Sequence, residues 1–429
     1  MITKMEYPTV IAVVGGEGTR MYPLTLEQTK PLVPICNYAT MRRMYEILAK
    51  QGCRDFIFAS CGAGNTTQLK SYLKWGEGFS ARLGLEPRAT FRYQPNYEDK
   101  GSADAVRACM EYYNIKNDVL VIGGDNIMDI NLEEIMKFHR EKDALMTIGL
   151  TGVDDASHYG VAEMDEKGRI LQFVEKPKKG EEPSNLANVG IYVLSPRIRD
   201  LFKGMPVDAV RDFGYDLIPF LTRKLYSVYG YIHDGYWNDV GTPGRYLKTT
   251  LDMLRGEVKH IVFKDINSYT GTVWIHPDTM KRIKNKLAEG KIQFGDHVLI
   301  GGDCEIGNNV KIENACIGDV CIIGDNVEIK KSVVMDFANI HENAKLNKCI
   351  IGRYATIGHN SIIDADINID VGGACDRTPV IGENVTIVEN SVIGPKKRVS
   401  PLNESHRIMR TGKFTELGFD SKNFYFIEK

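Results

Sequence analysis

Five short apolar runs punctuate the first 150 positions of the chain: VIAVV (10–14), DFIFAS (55–60), TFRYQ (90–94), VLVIGG (119–124) and LMTIGL (145–150). Several are apolar on both faces, the pattern of strands covered from both sides. Between them lie MRRMYEILAKQG, NTTQLKSYLKW, SADAVRACMEYY and LEEIMKFHREKD, whose apolar residues recur at helical spacing. This alternation predicts an α/β domain with a mainly parallel sheet wrapped by helices. Ligands of such sheets bind where strands end and loops begin.

From Ile300 the period changes. An aliphatic residue followed by Gly or a small polar residue recurs in steps of six, six and five, so that Ile300, Ile317, Val334 and Ile351 are each seventeen apart. A three-faced coil with one tight corner accounts for that count. It is the hexapeptide pattern of a parallel β-helix, in which each coil buries its aliphatic side chains only by stacking on the next. The pattern breaks at ADINIDVGGACDRTP (365–379), read as an extruded loop, and resumes at VIGENV. Residues 396–429 lose the period. The expected division is therefore 1–255 for the α/β domain, 256–395 for the β-helix and 396–429 for a tail.

Composition narrows the function classes. A chain of 429 residues, 43% apolar and 26% charged, has the makeup of a globular protein with more than one core. The formal charge of -2 gives no reason to expect nucleic acid or an anionic membrane as partner. The nine cysteines (36, 53, 61, 109, 304, 316, 321, 349, 375) are scattered and form no CxxC pair, so reduced thiols in a cytoplasmic protein are expected rather than a zinc site or a disulfide framework. Neither a signal peptide nor a membrane-spanning run is read in the sequence.

The chemistry concentrates in GGEGTRMYPLTLEQTKP, Gly15 to Pro31, directly after the first apolar run. Glycines after a strand let backbone N–H groups approach phosphate oxygens without Cβ obstruction. The string is neither a Walker loop nor GxGxxG. What strengthens it is the pair of cations, Arg20 beside the loop and Lys30 ten residues on, which suits a triphosphate whose charge must be screened before an anionic nucleophile approaches.

Residues 10–31 resemble the GxGTR-(L/M)-x-P-L-T…K-P signature of nucleoside-diphosphate-sugar pyrophosphorylases, the sugar-1-phosphate nucleotidylyltransferases. The resemblance continues through GGDN (123–126), YGVAEMDEKGRI (159–170), FVEKP (173–177), NLANVGIYVL (185–194) and GYWNDVGTP (235–243), and so spans roughly residues 8–255. One departure is Val14, where a small residue is usual before the glycine pair; its side chain is expected to narrow the phosphate loop. The family implies a Rossmann-like nucleotidyltransferase domain followed by a left-handed β-helix. It also implies the reaction of an NTP with a sugar 1-phosphate to give NDP-sugar and pyrophosphate, assisted by Mg²⁺.

Carried onto this chain, the resemblance assigns Gly15, Gly16, Gly18, Thr19 and Arg20 to the phosphates of the nucleotide. Lys30 goes to the α-phosphate or the incoming phosphate. Asp125, at the end of the VLVIGG run, and Asp239, in WNDVG, would hold the metal, two carboxylates suited to an oxygen-only Mg²⁺ shell. Lys176 would take the sugar phosphate and Glu175 the sugar hydroxyls, while Gly160 and Asn188 line the sugar pocket. Tyr159 and Trp237 either pack its wall or touch the ligand. Glu175 and Lys176 adjoin, and in an extended segment their side chains point to opposite sides, so both serve one site only if the chain bends. The base would lie against Gln94 and the turn at Gly101-Ser102-Ala103. KGSADAV and RDFGYDLIP are reminiscent of the ADP-glucose branch, whereas EEPSNLANVGIYV resembles thymidylyl- and uridylyltransferases, and GTP with mannose 1-phosphate stays open.

Two other functions compete. A non-catalytic regulatory relative would have lost Arg20, Lys30, Asp125 or Asp239; all four are present. A bifunctional enzyme would carry acetyltransferase activity in the β-helix, with His341 or His359 as base. Both histidines fall at variable hexad positions and are read as solvated corners, leaving the β-helix a structural role in a homo-oligomer.

Overall fold

A computed structural model describes residues 7–16, 18–95, 100–205, 210–259, 263, 266–368 and 376–400, with the backbone of 408–409 and 424–425. Cys375, the middle of the expected extruded loop and most of the expected tail lie outside the described residues. Those described fall into two compact units, one within Met1–Gly16 and Met41–Asp239, the other within Glu17–Thr40 and Val240–Lys429.

In the first unit the five apolar runs are strands: β1 (Thr9–Val13), β2 (Asp55–Ala59), β3 (Thr90–Tyr93), β4 (Val119–Gly123) and β6 (Met146–Gly152), with β5 (Asn126–Met128) a short strand after β4. The four helical stretches are α1 (Thr40–Lys50), α2 (Ala63–Leu73), α3 (Ser102–Tyr112) and α4 (Leu132–Glu141). Strands β7 (Gly160–Met164), β8 (Ile170–Glu175), β9 (Leu186–Leu194) and β10 (Val228–Ile232) complete the nine-stranded sheet, ordered β8-β7-β9-β4-β1-β2-β3, with β6 on β9 and β10 on β6. Strand β1 runs parallel to β2 and β4, and β2 to β3, as expected. The sheet is mixed because β9 enters antiparallel to β4, β6 and β7. Its lower half pairs with β7 and its upper half with β4, and the register against β6 slips between Asn188 and Tyr192. A separate antiparallel pair joins β5 to β11 (Trp237–Asp239).

In the second unit, three parallel sheets build the predicted β-helix, with Ile300 paired to Ile317, Ile317 to Val334 and Val334 to Ile351. Beyond Ile351 the rung is Ile381 rather than the residue seventeen on, so the 365–379 break is an insertion that leaves the stack in phase. Coil corners need a left-handed residue, which asparagine tolerates best after glycine. Asn309, Asn326, Asn343, Asn360 and Asn390 take φ between 55° and 60°, and along this ladder each amide donates to the next at 2.9–3.0 Å. Ile408–Met409 and Phe424–Tyr425 add further parallel rungs where a period-free tail was expected.

One face of this β-helix is apolar outside as well as inside. Leu299, Cys316, Val333, Ile350 and Val380 alternate with the inward Ile300, Ile317, Val334, Ile351 and Ile381, and all ten are at most 3% exposed. Helix α5 (Pro243–Leu254) and the segment after Gly16 supply polar partners there. The Asn37 amide donates to Ile317 O at 2.8 Å, the Cys316 thiol to Asn37 Oδ1 at 3.2 Å, and Tyr246 Oη to Pro34 O at 2.5 Å. The segment that carries Arg20 and Lys30 thus folds with the β-helix. Ending the chain after Arg255 is expected to expose it, lowering the melting temperature by about 10 °C or more, the scale of a loss of several kcal/mol in a unit of this size. Thermal melts and proteolysis within 17–40 check this; an unchanged melt contradicts it.

Candidate active site

Strand β4 ends in two glycines so that Asp125 emerges at the carboxyl edge of the sheet. The second of these, Gly124, donates its N–H to Val13 O at 3.0 Å, and a Cβ there would overlap the Val14 side chain. Val14, 2% exposed, therefore packs into the space that Gly124 leaves rather than into the glycine loop. The β5–β11 pairing sets Asp239 opposite Asn126, one residue from Asp125. The two aspartates thus stand on neighbouring backbones. No group of three or more metal-ligating side chains occurs among the described residues. A cation held here would take most of its ligands from phosphate and water, which fits a hard, oxygen-seeking ion.

Asn188, expected to line the sugar pocket, lies on the irregular stretch of β9. Asn188 donates to Tyr192 Oη at 2.8 Å and accepts from the Gly190 N–H at 2.9 Å, so its amide holds the bulge. Gly190 sits at φ 76°. The Val189 carbonyl exposed by the bulge accepts from Asn126 Nδ2 at 3.3 Å and from Trp237 Nε1 at 3.1 Å. Tyr159 packs edge-on to Trp237, ring centroids 5.2 Å apart. The indole N–H is spent on the protein, which favours the wall reading for both aromatics.

Glu175 closes β8 in a pocket made by glycines. A Cβ on Gly160 would come within 2.6 Å of Glu175 Oε2, and one on Gly214 would overlap the carboxylate. Burial pushes the Glu175 pKa up, Lys176 opposes the shift and Asp212 adds to it. The bend required by the adjacent pair is at Lys176 itself, which takes φ 48°. That left-handed turn brings Lys176 Nζ back to 3.6 Å from Glu175 Oε1, with the ammonium about half exposed and 5.8 Å above the Tyr215 ring. A carboxyl whose folded pKa is raised binds more protons folded than unfolded, so it lowers stability as pH climbs from 4.5 through the raised value. Glu175→Gln is expected to flatten that decline, read from denaturant midpoints between about pH 4 and 7; an unchanged slope would show that Glu175 is not the group responsible.

Gly101 takes φ 143°, and a Cβ there would meet Arg211 O at 2.5 Å. That carbonyl accepts from the N–H groups of Ala103 and Asp104, at 3.0 and 3.2 Å. Ser102 Oγ donates to Asp212 Oδ2 at 2.7 Å and accepts from the Phe213 N–H at 3.1 Å. The turn expected to touch the base is thus also the support for RDFGYD, whose Asp212 caps the turn leading to Gly214 and Tyr215. Gln94 is buried at 3% exposure, its N–H on Phe58 O at 2.9 Å, at the end of β3.

Gly15 and Gly16 follow β1 in the first unit. In the second, Gly18 at φ 67° opens a short turn, Thr19–Met21, whose Thr19 and Arg20 are exposed. Thr25 Oγ1 donates to Gly18 O at 2.9 Å, and a Cβ on Gly18 would lie 3.0 Å from both Thr25 Cγ2 and Lys30 Cβ. The fold therefore brings Gly18, Thr25 and half-buried Lys30 together.

In the β-helix, His341 Nδ1 and His359 Nε2 lie 3.1 Å apart, and burial followed by the His359 charge lowers the His341 pKa. They form a pair across one coil rather than two separate corners. None of the eight described cysteines forms a disulfide. No helix among the described residues is long and apolar enough to cross a membrane. Sequence patterns did not single out Asn126, Asp212, Gly214 or Tyr215, although GGDN and RDFGYDLIP contain them.

The α/β sheet of residues 9–239 has the makeup of a nucleotidyltransferase domain. The chain belongs to the nucleotidyl transferase family, whose pattern matches residues 9–256, more than half of its length. The EIF2B subunit epsilon LbH domain family matches residues 282–374, in accord with a left-handed β-helix. Among similar proteins, the chloroplastic/amyloplastic small subunit of glucose-1-phosphate adenylyltransferase from Triticum aestivum is 27% identical over 71% of this chain and 69% of its own length. A UTP–glucose-1-phosphate uridylyltransferase from Synechocystis sp. is 29% identical over 70% of this chain and 75% of its own. A solved chain from Bacillus anthracis described as a glucose-1-phosphate thymidylyltransferase has a TM-score of 0.49 and 24% identity, covering 59% of this chain and 96% of that one.

Proposed function

We propose that the protein transfers a nucleotidyl group from an NTP to a sugar 1-phosphate. An oxygen of the sugar phosphate attacks the α-phosphorus in line, the bond from the α-phosphorus to the bridging oxygen breaks, and pyrophosphate leaves with that oxygen. No protein nucleophile is needed, so positioning and charge neutralisation supply the catalysis. Arg20 neutralises the β- and γ-phosphates, and Lys30 the α-phosphate or the incoming phosphate. Asp125 and Asp239 are the ligands for Mg²⁺, which when bound supplies charge to the reacting phosphates.

The observation that carries this reading is the Glu175–Lys176 pair. A carboxylate is an acceptor-only group suited to vicinal hydroxyls, and an exposed ammonium suits a phosphate. The two are held 3.6 Å apart by a left-handed turn, and glycines 160 and 214 leave room for the Glu175 carboxylate, where a Cβ would overlap it. Asn188 shapes the same pocket through the bulge it holds. The curated relatives quoted above act by name on glucose 1-phosphate, which makes it the first acceptor to try. The reading is tested by a matrix of five NTPs against glucose, mannose, galactose and N-acetylglucosamine 1-phosphates, followed by pyrophosphate release; silence in every cell rejects it. A homo-oligomer fits the exposed column of Val320, Phe337 and Tyr354 on the β-helix, and light scattering measures its mass.

A further inference from the structure

The turn that bears Arg20 is short, with Thr19 and Arg20 exposed and Met21 buried, and is closed by backbone bonds from Met21 N–H to Gly18 O at 2.9 Å and from Tyr22 N–H to Thr19 O at 3.2 Å. Arg398, on the strand Arg398–Val399 of the β-helix, reaches it from 378 residues away. A single guanidinium nitrogen, Nη1, donates to Arg20 O at 2.8 Å and to Tyr22 O at 2.7 Å. The same region of the β-helix approaches the chain near proposed site residues at two more places. A Cβ on Gly382 would stand 3.1 Å from the Pro23 ring, and Asp376 Oδ2 accepts the Gly244 N–H at 2.6 Å, in the first turn of α5, which starts four residues after Asp239.

We propose that Arg398 is a positioning residue for nucleotide phosphate binding: by holding the carbonyls of Arg20 and Tyr22, the β-helix sets the direction in which the Arg20 side chain meets the triphosphate. Met21 anchors the turn in the core, but Thr19 and Arg20 are exposed, and each unproductive direction that an exposed arginine samples reduces affinity for the phosphates. The guanidinium is only half-buried, but one nitrogen that bridges two carbonyls fixes their separation, so the carbonyls and the guanidinium constrain one another. Burial lowers the Arg398 pKa while Asp376 opposes that shift, which places the Asp376 charge within reach of the same group. The β-helix thereby acts on the chemistry and not only on assembly.

The inference rests on the proposed role of Arg20, and the probe separates the two. Calorimetric binding of inorganic tripolyphosphate to the full chain needs no turnover and no knowledge of base or sugar. Arg398→Met is expected to weaken tripolyphosphate about tenfold and Arg398→Lys about threefold, since an ammonium restores donors but not the guanidinium's shape. Adding Arg398→Met to Arg20→Ala is expected to cause no further loss, because residues acting as a unit are non-additive. In steady state the NTP KM rises in Arg398→Met and the sugar 1-phosphate KM stays, a split that general destabilisation would not produce. Unchanged tripolyphosphate binding in Arg398→Met, losses that add to those of Arg20→Ala, or equal rises in both KM values overturn the proposal. Should Arg398→Met not fold, Arg398→Lys decides: a loss confined to tripolyphosphate and NTP supports it, and an unchanged or general effect overturns it. Wild-type protein silent with every NTP and sugar phosphate would instead sink the catalytic reading, leaving the tripolyphosphate result to stand alone.

Discussion

Asp125→Asn and Asp239→Asn each lower the rate of pyrophosphate release by about a thousandfold, the scale on which preorganised charge stabilisation is lost. The argument is one of charge, not shape. An amide has nearly the size of a carboxylate but no net charge, and two carboxylates are the acidic groups that the β5–β11 register brings to the end of β4. Both variants should keep the wild-type melting temperature within a few degrees, since Gly124, Val14 and Asn126 supply the local packing. Raising the Mg²⁺ concentration should recover part of the loss in each. Near wild-type turnover in either variant, measured at several Mg²⁺ concentrations, contradicts the metal assignment for that residue.

Lys176→Ala lowers kcat/KM for every sugar 1-phosphate by roughly a hundredfold or more, about 2 to 4 kcal/mol, whereas Glu175→Gln changes the ranking among epimeric sugars. A phosphate is common to all acceptors, so losing its cation penalises them alike. The two side chains are not independent, because Lys176 is the group that opposes the upward shift of the Glu175 pKa. Removing the lysine therefore also shifts the acid limb of the rate profile to higher pH, and Glu175→Gln abolishes that limb. Steady-state kinetics with glucose and galactose 1-phosphates across pH checks both. A uniform loss in Glu175→Gln takes that residue out of the sugar pocket, and no loss in Lys176→Ala takes the lysine out.

Much of the fold is legible in the order of residues alone. Strands at 9–13, 55–59 and 119–123 follow from apolar runs buried on both faces and the strand at 90–93 from alternation of Phe91 and Tyr93 with polar residues, because period and burial are local properties of the chain. The seventeen-residue spacing of Ile300, Ile317, Val334 and Ile351 is also their register, because a coil has no other way to cover its aliphatic stack. Less legible is the mixed character of the sheet. NLANVGIYVL is apolar and β-branched whichever way it runs, and its antiparallel insertion depends on which edges are available to pair. The conflict between Glu175 and Lys176 holds for an extended strand and disappears because a lysine adopts φ 48°, a conformation its sequence neighbours do not announce.

Residue type and spacing alone therefore determined the two architectures and singled out the glycine loop and the acidic and basic groups as candidates, since each depends on chemistry carried by single residues or short repeats. Tertiary structure alone decided what those groups share. It made Gly214 the floor of the Glu175 pocket, Asn126 and Trp237 the donors to the bulged Val189 carbonyl, and Arg398 the support for a turn 378 positions earlier. Such partnerships join segments far apart in sequence through carbonyls and missing Cβ atoms, which every residue or every glycine possesses, and so no local pattern distinguishes the ones that the fold will use.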